Sequence, residues 1–444
     1  MRHVLILGAG KSASVLIEYM LSEAEAEDWM VTVGDVSPET ALQKIGGHAR
    51  GKAIAFDAED ASSKEKCIAE ADIVISLLPP SMHVSVAEIC VRLGKSFVCA
   101  SYVDAAMRTL HDDAVRNHVL LLNECGLDPG IDHMSAMHML HAVKAAGGEI
   151  LSFESYTGGL IAPESDTNPW HYKFTWNPRN VVLAGQGTAK FLLHGTFKYV
   201  PYQALFTRYD ILEVPGYGTF EGYPNRDSLG YREMYGLEEV RTLVRGTLRK
   251  RGFCDAWNVF VQLGMTDDGY VLEGMQGKTW IDFTNSFLPE QTSDTENTFA
   301  AYTHIDPRGE IMEKMRWLGL FEYRSLPSGK HSPAQYLQIL LEEKWKLEPD
   351  DKDMCVMLHV MEYSLSGKKY RRQSSMVVCG TDNVHTAMAK TVGLPAGIAA
   401  KNILNGVIRA TGVHIPVDAD MYIPILQELA AHGIQFTEEV SEIE

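Results

Sequence analysis

Gly8-Ala9-Gly10-Lys11-Ser12-Ala13 follows the apolar run His3–Leu7 and opens a helical stretch that reaches about Ala26. Its spacing is G-x-G-x-x-A. The first glycine permits a tight turn, the second lets backbone approach a pyrophosphate, and the small Ala13 lets helix pack on strand. The helix N-terminus then attracts the phosphates. A glycine-rich turn with no ligand is the competing reading, since short motifs of this kind arise by chance. The strand–turn–helix setting, with Asp35 closing the next apolar run Met30–Gly34, favours a bound dinucleotide. A carboxylate there accepts hydrogen bonds from a ribose 2′-OH and repels a 2′-phosphate, which points to NAD, with NADP possible.

Further apolar runs extend the pattern. Ala53–Phe56 ends at Asp57, Ile73–Ser76 at Leu77-Leu78-Pro79, Phe97–Ala100 at Ser101, and Val119–Leu122 at Asn123, with helical stretches such as His83–Leu93 and Ala105–Asn117 between them. Short β-branched runs alternating with helices predict an α/β fold, a Rossmann-type parallel sheet with right-handed crossovers. Ligands of such sheets bind beyond the carboxyl ends of the strands. Asp57 is placed to approach the adenine or to sit solvated at its strand end. Leu77 and Leu78 would wall off the nicotinamide. Ser101 and Tyr102 offer hydroxyls near the reacting carbon, or cap their loop. Asp128, before Pro129-Gly130, offers a carboxylate, or an Asx-turn. His133 reads as an acid/base or as a residue packed in the next helix. Cys125 has no evident base beside it and reads as a small buried residue.

Beyond about Glu149 the texture changes. Loops are expected at Thr157–Pro163, Asn168–Trp170, Pro215–Asp227 and the polar stretch Leu288–Asp294. Helices are expected at Glu238–Lys250, Phe253–Gly264, Glu310–Gly319 and Ala334–Trp345. Met354–Tyr363 and Tyr370–Cys379 alternate like a hairpin, and Ala387–Leu404 and Tyr422–Ala431 are the last helices. At 444 residues the chain exceeds a single core. Its net charge of −18 argues against nucleic acid or an anionic membrane as partner. No apolar run approaches a membrane span and no cluster has zinc spacing. The seven cysteines, an odd number without a C-x-x-C pair, read as reduced thiols of a cytoplasmic protein.

Gly126-Leu127-Asp128-Pro129-Gly130-Ile131-Asp132-His133 closely resembles the central motif of glutamate-forming saccharopine dehydrogenases, also called saccharopine reductases. Tyr156–Pro163 resembles that family's glycine-rich loop. Tyr172–Trp176, Tyr223–Ser228, Val244–Arg249, Trp317–Phe321 and Thr391–Ala396 match in order along the whole chain. The resemblance implies an oxidoreductase of lysine metabolism, in which glutamate condenses with 2-aminoadipate 6-semialdehyde and the imine is reduced by hydride to saccharopine. It implies a dinucleotide domain (1–132 and 393–444), an α/β substrate and dimerisation domain (133–237 and 351–392), and a helical insertion (238–350). A homodimer follows from the same likeness. It also marks Ser101, Tyr102, Asp128, Arg226, Arg245, Gly246 and Thr247 as contacts of the amino-acid substrate, with Asp128 and Tyr102 the candidates for proton transfer. Saccharopine carries three carboxylates, and guanidinium forks are suited to them; solvated surface arginines are the plainer reading.

Asp35 departs from the pattern, because fungal members end the second strand with a residue suited to NADP. Two alternatives remain. A reductase of another imine, such as a carboxyspermidine-type product, would want acidic residues where the arginines stand. A non-catalytic dinucleotide sensor would need none of the Ser-Tyr, Asp and Arg loops.

Overall fold

A computed structural model describes residues 1–290 and 294–444. Of the stretch expected as a loop at Leu288–Asp294, residues 291–293 lie outside the described residues. The chain forms two compact units: residues 1–150, 363–370 and 376–444, and residues 151–362 with 371–375.

The first unit is a parallel sheet covered by helices. In chain order it runs β1 (Arg2–Leu7), α1 (Ser14–Ser22), β2 (Trp29–Asp35), α2 (Pro38–Ile45), β3 (Gly51–Ala55), α3 (Ala61–Ala69), β4 (Ile73–Ser76), α4 (Pro80–Leu93), β5 (Ser96–Cys99), α5 (Ala105–Arg108), α6 (His111–Arg116), β6 (Leu120–Leu122) and α7 (Ile131–Ala145). Its strand order is β3-β2-β1-β4-β5-β6, extended beyond β6 by the late strand Gly412–His414. Every residue of β4 and β6 is buried, as a sheet covered on both faces requires. The order reverses between β1 and β4, the position at which doubly wound sheets open a crevice.

Two glycines explain why the C-terminal segment returns to this unit. Gly393 and Gly397 lie on the helix Ala387–Leu404, where added Cβ atoms would come within 2.9 Å of the Leu16 backbone nitrogen and 2.7 Å of the Tyr19 ring. Only a residue without a side chain lets the two helices approach so closely. Lys401 on that helix pairs with Glu23 and Glu428, and the Tyr19 hydroxyl donates to Glu428 at 2.6 Å.

The second unit is built on a mixed sheet, with β7 (Glu149–Ile161), β8 (Thr188–Leu193), β9 (Thr196–Pro201), β10 (Asp210–Val214), β11 (Gly218–Pro224) and β12 (Thr242–Lys250). The order is β10-β11-β12-β7, followed by the strand Asp353–Leu365, while β8 joins β12 to β9. The helices Phe253–Leu263, Glu310–Leu318 and Pro333–Lys344 belong to this unit. Their core is aromatic: Trp170, Trp257 and Trp345 are each at most 1% exposed and lie within 6.5 Å of one another, centroid to centroid.

Three expectations fail here. Glu238–Lys250 is not helical: Thr242–Lys250 is an interior strand between antiparallel β11 and parallel β7. Leu243, Val244 and Leu248 fit either period, and the sheet on both sides decides it. Thr157–Ile161, expected as loop, completes β7, because Gly158 packs flat against Leu248 with no room for a Cβ. Pro215–Asp227 likewise contains β11. Among the described residues no helix is long and apolar enough to cross a membrane.

Candidate active site

Where β1 ends, Gly8 adopts φ +96, and a Cβ there would meet the Leu77 carbonyl oxygen at 3.1 Å. Glycine is needed so that the turn can lie against the end of β4, where the Leu77 amide donates to the Leu7 carbonyl at 2.8 Å. Beside Gly10 nothing lies within 4 Å of a hypothetical Cβ, while Ala13 is buried on the strand side. Lys11–Ala13 form a 3-10 turn leading into α1, with no side chain capping it. Open space beside Gly10, next to uncapped helix-terminal amides, fits the pyrophosphate of a nicotinamide dinucleotide. Lys11 and Ser12 border that space through their place in the turn.

Asp35 closes β2 half-buried. One carboxylate oxygen accepts from the Ala9 amide at 2.7 Å, the other from the Ser37 amide at 3.0 Å. The carboxylate therefore ties the end of β2 to the glycine turn. Asp57 is exposed and accepts from the Glu59 amide at 2.9 Å, a local turn.

The ends of β5 and β6 carry the polar groups. Tyr102 Oη donates to Asp128 Oδ1 at 2.9 Å. Asp128 sits in a loop folded on itself: Gly126 and Gly130 bridge, a Cβ at Gly130 would lie 2.1 Å from the Gly126 carbonyl oxygen, and the Asp128–Pro129 peptide is cis. Glu124 joins the two loops, one carboxylate oxygen accepting from the Val103 amide at 3.0 Å and the other lying 2.7 Å from His133 Nε2. Asp132 accepts from the Gly130 amide at 2.6 Å. His133 is wholly buried in the first turn of α7, so it packs and braces the loop from within. Cys125 is equally buried, and burial pushes its thiol well above the usual range, which makes it inert as a nucleophile.

His83 was not legible as a site residue. It lies in the first turn of α4, 3% exposed, with Nδ1 3.0 Å from Ser76 Oγ and Nε2 2.9 Å from Ser101 Oγ. Burial lowers its pKa to about 4, so the ring is neutral, with one N–H and one lone pair. One serine must therefore donate to it and the other accept. A histidine three residues after the Leu78-Pro79-Pro80 stretch that follows β4 was the available clue.

In the second unit Arg245 lies on β12, 8% exposed, its guanidinium 4.1 Å from the Tyr231 ring centre. The Asn225 amide donates to the Arg245 carbonyl at 2.8 Å, and the Arg245 amide to Ser228 Oγ at 2.9 Å. The Asn225–Ser228 loop is thus fastened to the strand beside Arg245. Arg226, within that loop, is exposed with φ +54. At Gly246 a Cβ would strike the Tyr156 ring at 2.5 Å, so packing alone demands glycine there. Thr247 pairs in register with Thr157 on one side and Tyr223 on the other.

A family model described as the saccharopine dehydrogenase NADP binding domain matches residues 4–122, and one described as the saccharopine dehydrogenase C-terminal domain matches residues 126–434. A Schizosaccharomyces pombe protein named saccharopine dehydrogenase (NADP(+), L-glutamate-forming) is 35% identical over 99% of each chain. An Arabidopsis thaliana alpha-aminoadipic semialdehyde synthase is 33% identical over 98% of this chain and 44% of that protein. The apo structure of Saccharomyces cerevisiae saccharopine dehydrogenase (L-Glu forming) has 32% identity and a TM-score of 0.91, covering 99% of this chain and 100% of that one. The chain therefore belongs to the saccharopine dehydrogenase family.

Proposed function

We propose that the protein interconverts saccharopine with L-glutamate and 2-aminoadipate 6-semialdehyde, using NAD. The hydrogen-bonded pair of Tyr102 and Asp128, on strand ends of the unit that carries the dinucleotide turn, is the observation that supports this most directly. Bound nicotinamide supplies or removes the hydride. The chain's own work is orientation and one proton relay. In the forward direction the imine nitrogen gains a proton as its carbon gains hydride; in reverse, the Asp128 carboxylate, held ready by the Tyr102 hydroxyl that donates to it, takes the amine proton as the carbon loses hydride and becomes the neutral acid. Neutral His83 fixes the rotor of Ser101, so that this hydroxyl has one direction left for a substrate oxygen. Arg226 and Arg245 take substrate carboxylates, Arg245 as a guanidinium already held on a ring face. The Asp35 carboxylate favours a free ribose hydroxyl over a phosphate, which supports NAD although the Schizosaccharomyces pombe relative is named for NADP(+).

The purified full chain is expected to reduce NAD in the presence of saccharopine and to oxidise NADH with glutamate and the semialdehyde. NADH oxidation with lysine and 2-oxoglutarate instead would overturn the substrate assignment. The apolar side chains Phe197 and Tyr199 on the edge strand β9, 51% and 60% exposed, support a homodimer, checked by sedimentation. Seven unpaired cysteines support a reducing, cytoplasmic setting.

A further inference from the structure

None of these residues lines a cavity of about 430 Å³ in the second unit, within the size usual for small-molecule sites. Its lining includes Gly252, Asp255, Asp306, Gly309, Glu310 and Lys314. Lys314 stands in the second turn of the helix Glu310–Leu318 and is 4% exposed. Its backbone carbonyl accepts from Trp170 Nε1 at 3.1 Å, but its ammonium makes no hydrogen bond or ion pair with any described residue. Nζ reaches toward Gly252, where a Cβ would lie only 3.2 Å away. The stem of Lys314 is buried while its ammonium, without a protein partner among the described residues, is left to face the cavity it lines.

A second positive feature adjoins it. Gly309 begins the Glu310–Leu318 helix with no side chain capping its first-turn amides. The other helix that begins at this cavity, Phe253–Leu263, is already served: Glu221 accepts from the Gly252 and Cys254 amides at 2.5 and 2.8 Å. Lys314 and the open helix end therefore make a floor suited to one anionic group. The remaining charged lining is acidic and exposed. Asp255 accepts from Tyr209 at 3.1 Å and Asp306 from the Arg308 amide at 2.8 Å, each keeping acceptor capacity, and Glu310 stands beside them. Three rim carboxylates oppose a phosphate dianion. A simple carboxylate would satisfy the floor and leave the rim without a cation.

We propose that this cavity binds a free L-α-amino acid, with its carboxylate on Lys314 and the first-turn amides and its ammonium at Asp255 and Asp306. Such a site would let an amino acid act on the enzyme from outside its substrate residues.

Calorimetric titration of the full chain with glycine, L-glutamate and L-lysine, beside acetate and inorganic phosphate, tests this. At least one amino acid is expected to bind more tightly than about 10 mM, and acetate and phosphate at least about tenfold more weakly. Lys314→Met removes the ammonium at nearly constant volume and should weaken that amino acid about tenfold or more, abolishing its effect on Tm. If Lys314→Met does not fold, Asp255→Asn with Asp306→Asn, both on the exposed rim, carries the same expectation. The Arg245→Ala protein locates the ligand: retained binding supports the cavity, and lost binding assigns the ligand to the substrate residues and overturns the proposal. No amino-acid binding, equal binding of phosphate, or unchanged affinity in the cavity variants also overturns it.

Discussion

The polar groups at the strand ends of the first unit are tied to one another by hydrogen bonds, whereas in the second unit the guanidinium of Arg245 lies over a ring face and its backbone is braced by a loop. Tyr102 is spent on Asp128, Glu124 on His133 and the Val103 amide, and His83 on two serines. The Arg245 guanidinium lies over the Tyr231 ring, and the neighbouring loop is fastened to the Arg245 backbone through the Asn225 amide and the Ser228 hydroxyl. The difference follows from the work proposed for each. Proton transfer depends on direction, which mutual hydrogen bonds fix; carboxylate capture depends on charge, which a guanidinium carries at every working pH.

The largest expected effect breaks the first half of this contrast. Asp128→Asn keeps the shape and the hydrogen bond to Tyr102 but removes the base. It is expected to lower kcat about 10²–10⁴-fold, with KM for saccharopine little changed. Full kcat in that variant would make the pair a structural brace. Next come the arginines. Truncating a desolvated arginine that holds a carboxylate costs about 2–5 kcal/mol, against about 0–1 kcal/mol for an exposed pair. Arg245→Ala and Arg226→Ala are each expected to reduce kcat/KM for saccharopine more than about thirtyfold, with NADH binding nearly unchanged. The loss should be larger at the buried Arg245. Lysine should rescue only in part, lacking the planar fork. Equal activity in the alanine variants would return both to the solvated surface.

The same contrast explains what the sequence disclosed. In the first unit β1, β2 and β4–β6 are short apolar runs ending in turn residues, and buried parallel strands allow little else, so sheet and dinucleotide turn were readable together. Gly8 announced its own role. In the second unit Thr242–Lys250 carries Arg245, Thr247 and Arg249 among apolar residues, and a strand buried on both sides with charge on one face has no clean period. Only its neighbours β11 and β7 decide it. Tyr102 and Asp128 were reachable because each lies in the loop that follows a strand. Glu124 and His83 were not, since their importance lies in groups 21 and 18 residues away along the chain.

Buried His83 gives an effect of intermediate size, on stability. Unfolded, the imidazole takes a proton near its usual pKa of 6.5; folded, only near 4. Between these values the unfolded chain binds more protons, so stability rises with pH and falls as pH drops from about 6.5 toward 4. The full difference is about 3 kcal/mol. His83→Gln, which keeps a donor and an acceptor without the titration, should flatten that part of the profile in urea unfolding at a series of pH values. An unchanged slope would mean that the ring takes up its proton as readily folded as unfolded, and the fixed direction of Ser101 would then be lost as the ring is protonated.

The smallest expected effect concerns the carboxylate that holds the glycine turn. Asp35 accepts from the Ala9 amide and would also accept from a ribose hydroxyl, so removing it confounds a loosened turn with a lost ligand contact. Asp35→Asn separates them, because the amide oxygen can still accept from Ala9 while the charge is gone. A hydrogen bond to a charged acceptor is worth about 1.5–3 kcal/mol, and part of it survives in the amide. The KM for NADH should therefore rise only about tenfold, while use of NADPH improves as repulsion of the 2′-phosphate disappears. Asp35→Ala should weaken both cofactors further, through the turn. Steady-state kinetics with both cofactors on the three proteins decides the matter. A wild-type preference for NADPH would mean that the phosphate is tolerated beside Asp35, with Lys44 of the adjoining helix α2, whose ammonium feels the Asp35 charge, a source of compensating charge. In that case the cofactor named for the fungal relatives would hold here too, and the carboxylate's whole role would be to brace the turn.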